Sequence, residues 1–148
     1  MIVAPPPRIL RARTRGRGSS SLAGAWSGEY AYAALGRAER VPFNALLGET
    51  AGALTGSIDE PNTFGDPSAA RLFAHVAGER SGTSVRFVKT YDGTGGQTHA
   101  VTYEGEANAA LTRIEGVWAV SWLHGTFFME RATIAEAVDA EEAAEAGA

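Results

Sequence analysis

From Leu22 to Tyr32, Trp26, Gly28, Tyr30 and Tyr32 share one parity, and Ala25, Ser27, Glu29 and Ala31 share the other. Aromatic groups at a period of two mark a strand with one face buried and the other wetter. A second stretch of this kind closes the patterned region: from Trp122 to Arg131, Gly125, Phe127, Met129 and Arg131 share a face. Six more segments between these two read as strands.

The first strand is expected over about 25–35, turned by Gly36-Arg37. The others are expected over about 40–49, 53–60, 71–79, 83–91, 98–107 and 111–120, followed by the closing stretch. Turn residues recur between them and no helical period interrupts. Pro42, inside the second segment, predicts a bulge or a locally unpaired position. The longest connection, Pro61 to Pro67, reads either as a lid over a barrel mouth or as a surface turn in which Phe64 caps the end. The run Asp92-Gly93-Thr94-Gly95-Gly96 has no Walker lysine and no following helix. It therefore reads as a flexible hairpin turn, not a phosphate loop.

Eight consecutive antiparallel strands leave two exposed edges, and pairing the first with the last removes both. The expected fold is thus an all-β, eight-stranded antiparallel up-and-down barrel, with a sandwich of the same strands as the alternative. A barrel of eight strands holds either a side-chain core or one small ligand.

Composition sets outer bounds. A chain of 148 residues with 45% apolar residues supports one domain with a real core. The absence of cysteine removes disulfides and thiolate chemistry, and it fits a reducing compartment. No run reaches the length of a membrane helix, and Pro5-Pro6-Pro7 stands where a secretory signal needs apolar residues. A cytoplasmic protein without membrane contact is expected.

Residues 1–20 carry five arginines and no acid, and are read as a disordered basic arm. Nucleic-acid binding by this arm is not the expected role, because no aromatic residue interleaves the arginines. The barrel domain is assigned to 21–131. The acidic, Ala-rich tail over 132–148 is expected to be helical.

Gly24-Ala25-Trp26 at the start of the first strand, with Arg131 at the end of the last, resembles the Gly-x-Trp and Arg pair of the calycin superfamily. That group includes lipocalins, fatty-acid-binding proteins and avidins. The resemblance implies that Arg131 covers Trp26 and helps close one barrel end, which gives both residues a structural role. Within the superfamily the chain is most similar to the avidins over residues 22–131. Gly52-Ala53-Leu54-Thr55-Gly56-Ser57-Ile58 resembles their third strand, and His124-Gly125-Thr126-Phe127 resembles their last. Tyr91, Tyr103 and Trp118 fall where avidins keep pocket tryptophans. Gly28, Ile58 and Gly125 replace the polar groups that hold biotin, so the resemblance implies the fold without the ligand.

The candidate ligand-binding residues are Tyr30, Tyr32, Phe43, Ile58, Phe87, Lys89, Tyr91, Tyr103, Trp118, Phe127 and Met129, with Trp26 and Val101 also pointing inward. Gly28, Gly105, Gly116 and Gly125 are expected to make room among them. A few polar groups on an aromatic wall is how small-molecule pockets are usually built.

Lys89 is the sole lysine. Inside the barrel it needs a carboxylate, and Glu60 shares the parity of Ile58. At a rim it would instead point to solvent. His75, His99 and His124 lack ligand spacing, so no metal or cofactor is expected, with haem on His99 or His124 as the weaker alternative. No catalytic set is assignable.

The expected function is non-enzymatic binding of a small apolar or aromatic molecule. The alternative is a cyclase or isomerase that shapes its substrate between aromatic walls, with Tyr91, Tyr103 and Lys89 as acid, base or orienting groups. Val88, Val120 and Phe128, with Trp122, are read as an outer apolar face that supports a homodimer.

Overall fold

Eight antiparallel strands close into one up-and-down barrel, each paired with its neighbours in sequence and the first paired with the last. The computed structural model describes residues 20–33 and 39–132. The strands are β1 (Gly24–Tyr32), β2 (Arg40–Thr50), β3 (Ala53–Pro61), β4 (Arg71–Ser81), β5 (Ser84–Tyr91), β6 (Ala100–Ala107), β7 (Arg113–Ala119) and β8 (His124–Arg131). Residues 1–19 of the basic arm, the Gly36-Arg37 turn and the expected helix beyond Ala132 lie outside the described residues. Among the described residues, no helix is long and apolar enough to cross a membrane.

The two stretches that bound the pattern in sequence are the two that meet. Trp26 pairs with Arg131, Gly28 with Met129, Tyr30 with Phe127 and Tyr32 with Gly125. Parity along every strand carries through to the interior. Trp26, Tyr30, Phe43, Ile58, Phe87, Lys89, Tyr91, Val101, Tyr103, Trp118, Phe127 and Met129 are all buried, and Tyr32 packs against them from a partly buried position.

Two local details refine the expectations. The β1–β2 ladder runs through Pro42, opposite Glu29, without a bulge. Pro42 lacks a partner only toward β3, whose ladder with β2 begins at Asn44 and Asp59. The start of β7 moves from Leu111 to Arg113 because Leu111 takes a left-handed backbone (φ 56). The turn there is built by Asn108, whose side-chain oxygen accepts from the Thr112 and Arg113 amides at 2.8 and 3.1 Å.

The inward glycines do not make room. A methyl group at Gly116 would stand 2.0 Å from the Glu104 carbonyl oxygen, and one at Gly28 would stand 2.1 Å from that of Phe128. At Gly125 it would meet the Ala31 carbonyl at 1.8 Å, and at Gly105 the Glu115 carbonyl at 2.6 Å. The adjoining strand's backbone already fills that space. These glycines let neighbouring strands coil tightly enough to close a narrow barrel. Gly56 and Gly78 play the same part against Leu46 and Arg86, at 2.1 Å each.

The two barrel ends are finished differently. At the end holding the start of β1 and the finish of β8, the Arg131 guanidinium lies 4.6 Å from the centre of the Trp26 ring. It donates to the Ala23 and Ser21 carbonyls at 2.6 Å each and to the Leu111 carbonyl at 3.1 Å. The Trp26 indole N–H donates to the Leu22 carbonyl at 2.9 Å, and Leu22 and Leu111 are buried as plugs. Glu49 accepts from the Leu22 amide at 2.8 Å and from the Arg80 guanidinium at 2.7 to 3.1 Å. This end is shut.

Candidate functional site: the open end of the barrel

The opposite end gathers the last residues of β1, β3, β5 and β7 and the first of β4, β6 and β8. It holds a cavity of about 420 Å³. Its walls include Tyr32, Trp118, Val101, Phe64 and His99, with Tyr30, Tyr91, Tyr103 and Lys89 toward the floor. A larger groove of about 650 Å³ runs over the outside of β7 and β8. Its lining includes the exposed ion pair of Arg113 with Glu115, so it is a solvated face and offers no enclosed chemistry.

The floor is polar and almost dry. Lys89 is 1% exposed and Glu60 is fully buried. The Lys89 ammonium donates to Glu60 Oε1 at 2.5 Å. Glu60 Oε2 accepts from the Tyr30 hydroxyl at 2.8 Å and from the Tyr91 hydroxyl at 2.9 Å. The reading of Lys89 as a solvent-facing rim residue is thereby overturned, and the carboxylate it needs is supplied by Glu60. A buried ammonium without such a partner would be prohibitively costly.

Three tyrosine rings also surround the ammonium, with centroids 4.8 Å (Tyr30), 4.7 Å (Tyr91) and 5.7 Å (Tyr103) from Nζ. Their π-faces add electrostatic attraction in a desolvated setting. The site forms because β3 and β5 bring two inward positions to the same depth. Glu60 follows Ile58 on the inner parity of β3, and Lys89 lies between Phe87 and Tyr91 on that of β5. Asp59, on the opposite parity, turns outward to pair with Arg71.

Burial sets the protonation states. It pushes the hydroxyls of Tyr30, Tyr91 and Tyr103 far above the ordinary phenol range, and the Glu60 charge adds to this. All three therefore stay neutral hydroxyls, and those of Tyr30 and Tyr91 donate to Glu60. Burial pulls the Lys89 ammonium down from its usual value, opposed by Glu60. His99 is also lowered, first by partial burial and then by the Lys89 charge.

Tyr103 is held rigidly. Its ring stacks on Phe87 at 4.9 Å with an 8° interplanar angle and meets Phe127 edge-on at 4.9 Å. Trp118 is fixed by its indole N–H donating to the Ala31 carbonyl at 3.0 Å and by edge contacts with Tyr30 and Tyr32.

Of the candidate ligand-binding residues, Tyr30, Tyr32, Lys89, Tyr91, Tyr103 and Trp118 line this cavity. Phe43, Ile58, Phe87, Phe127 and Met129 belong to the packed interior and do not line it. Sequence parity gives no depth coordinate, so it cannot separate these two groups.

The loops supply what parity missed. Phe64, 42% exposed, packs edge-on to Tyr91 at 5.7 Å and beside His99 at 5.9 Å. Its loop is organised by Asn62, whose side chain donates to the Asp66 and Ala69 carbonyls at 2.7 and 2.8 Å and accepts from the Phe64 and Gly65 amides. The Asp92–Gly96 segment is the expected turn of the β5–β6 hairpin and includes a 3-10 turn at Thr94–Gly96, and its Gly95 carbonyl accepts from the Asp66 amide at 2.9 Å.

The expected outer apolar face divides. Val120 and Trp122 line the cavity mouth, while Phe128 lies beneath the Arg113 guanidinium at 4.6 Å. Among the described residues, no group of three His, Asp or Glu side chains is placed to hold a metal ion.

No protein-family model matches the chain, and no match is found among curated proteins. The functional reading rests on the site's own geometry.

Proposed function

We propose that the protein is a calycin-like barrel that binds a small apolar or aromatic molecule in its open end, without transforming it. One observation carries the reading: a cavity of about 420 Å³ with aromatic walls ends on a small cluster of convergent, buried polar groups. That size and that balance of apolar wall and sparse polar anchors suit a compact ligand. The calycin part is supported by Arg131 lying over Trp26 where the first and last strands meet. Native mass spectrometry and a thermal-shift screen of aromatic metabolites, flavins, lipids and haem test the proposal. Retention of one class, with a raised Tm, is the expected result. A screen in which none is retained by the full chain, and in which Trp118 fluorescence never changes, sinks it.

A second reading, a cyclase or isomerase, is favoured by one feature. The buried Tyr103 hydroxyl stands 3.4 Å from Lys89 Nζ at the cavity floor, where a proton donor would meet a reacting group. If a bound compound is turned over, Lys89→Met and Tyr103→Phe should each lower kcat. Unchanged turnover in both variants removes these residues from any mechanism.

A further inference from the structure

Among the described residues, one hydroxyl proton on the cavity floor is left without an acceptor. Glu60 accepts from Lys89, Tyr30 and Tyr91, so the two tyrosines spend their hydroxyl protons on it. Tyr103 differs. It is 2% exposed, and its hydroxyl oxygen stands 3.4 Å from the Lys89 ammonium, as the acceptor in that long contact. Its own proton has no acceptor among the described residues. A buried donor without an acceptor carries an unrelieved desolvation cost, and any ligand atom that accepts its proton relieves it. The Tyr103 ring, clamped between Phe87 and Phe127, cannot swing the hydroxyl elsewhere without disturbing both contacts.

Charge narrows the ligand further. The Lys89 ammonium is already matched by the Glu60 carboxylate, so the floor is neutral. An anionic ligand would add an uncompensated charge to a dry site, whereas a neutral oxygen acceptor adds none. The walls that lead down to this point are flat rings, Trp118 and Tyr32 among them.

We propose that the ligand is a neutral, planar aromatic compound bearing a carbonyl group, whose oxygen accepts a hydrogen bond from the Tyr103 hydroxyl beside Lys89. This rests on the open end being a binding site, and it names the chemical class and the anchoring donor.

Three probes built on one tricyclic ring system test it on the full chain by tryptophan fluorescence titration: fluorenone, fluorene and fluorene-9-carboxylate. Fluorenone should bind roughly threefold to tenfold more tightly than fluorene, the range one added hydrogen bond gives, and the carboxylate should bind more weakly than fluorenone. Tyr103→Phe should abolish the difference between fluorenone and fluorene. In the infrared, the carbonyl stretch of bound fluorenone should lie lower in the unaltered protein than in that variant.

Equal binding of fluorenone and fluorene by the unaltered protein overturns the carbonyl assignment and leaves the aromatic site standing. A preference that survives Tyr103→Phe, in protein whose melting curve shows it folded, overturns Tyr103 as the donor. Tightest binding of the carboxylate overturns the neutral-ligand argument. Binding of none of the three overturns the carbonyl assignment together with the site.

Discussion

Each end of this barrel sets a cation against aromatic rings, and the two ends do opposite things. Arg131 lies over Trp26 and spends its planar fork on three backbone carbonyls. Those carbonyls belong to chain segments that cross the barrel bottom, so satisfying the cation also ties the plug shut. Lys89 sits among three tyrosine rings and is neutralised by one side chain, Glu60. A carboxylate can be carried on a strand without any chain crossing the opening, so that end stays open. Arginine's rigid set of donors suits a seal of carbonyls, and lysine's single point charge suits a compact floor. The choice of acceptor, backbone carbonyls or a side-chain carboxylate, separates a sealed end from a mouth.

The contrast breaks most visibly at Glu60. Glu60→Gln leaves Lys89 buried without a counter-charge and should destabilise the protein by about 3–5 kcal/mol. Combining Glu60→Gln with Lys89→Met should recover most of that loss, because the amide carbonyl can still accept from Tyr30 and Tyr91 while no charge remains. Urea denaturation of the three proteins measures both effects, and a double variant as unstable as the single would refute the account of the floor.

Next in size is Gly116→Ala. Its methyl group meets a strand carbonyl and should cost about 1–3 kcal/mol, although nothing at that position touches the cavity. At the sealed end, Arg131→Met should cost about 1–2 kcal/mol through the lost ring contact and hydrogen bonds. A loss larger than that of Glu60→Gln would reverse the ranking of the two ends.

The smallest effect concerns acid. Hydrogen bonding from Arg80 holds the Glu49 carboxyl below its ordinary value in the folded chain. The stability this adds is complete above the unfolded value of about 4.3 and drains away as pH falls through the lower folded one. Glu49→Gln should therefore lower stability at neutral pH and flatten the loss below about pH 4.3, as read from thermal melts across that range.

Much of this was legible in the residues. Period two carried the strands and put Glu60 and Lys89 on inner parities, and the removal of two free edges carried the closure of β1 on β8. Parity did not decide between Glu60 and solvent as the partner of Lys89. Depth was not legible. Phe87 and Tyr91 share a face, yet only Tyr91 lines the cavity, and which of them does so depends on strand tilt and on how each end is finished. The loop residues Phe64 and Trp122 have no period to place them. The glycines misled for a related reason. A sequence shows that a side chain is missing at Gly28 or Gly116, but not that a neighbouring strand's backbone has already moved into the gap.

The pairing of Trp26 with Arg131 also fixes an order of events during synthesis. β1 leaves the ribosome first and its partner β8 leaves last, so the free edge of β1 waits for about a hundred residues. At roughly 5–20 residues per second, that is on the order of five to twenty seconds. Throughout it, β1 and the newest strand both present unpaired amides and carbonyls, the template on which chains associate wrongly. Yield in the cell should thus depend on how fast the last hairpin is delivered, and slow codons just ahead of β8 should cost more soluble protein than the same codons placed after it.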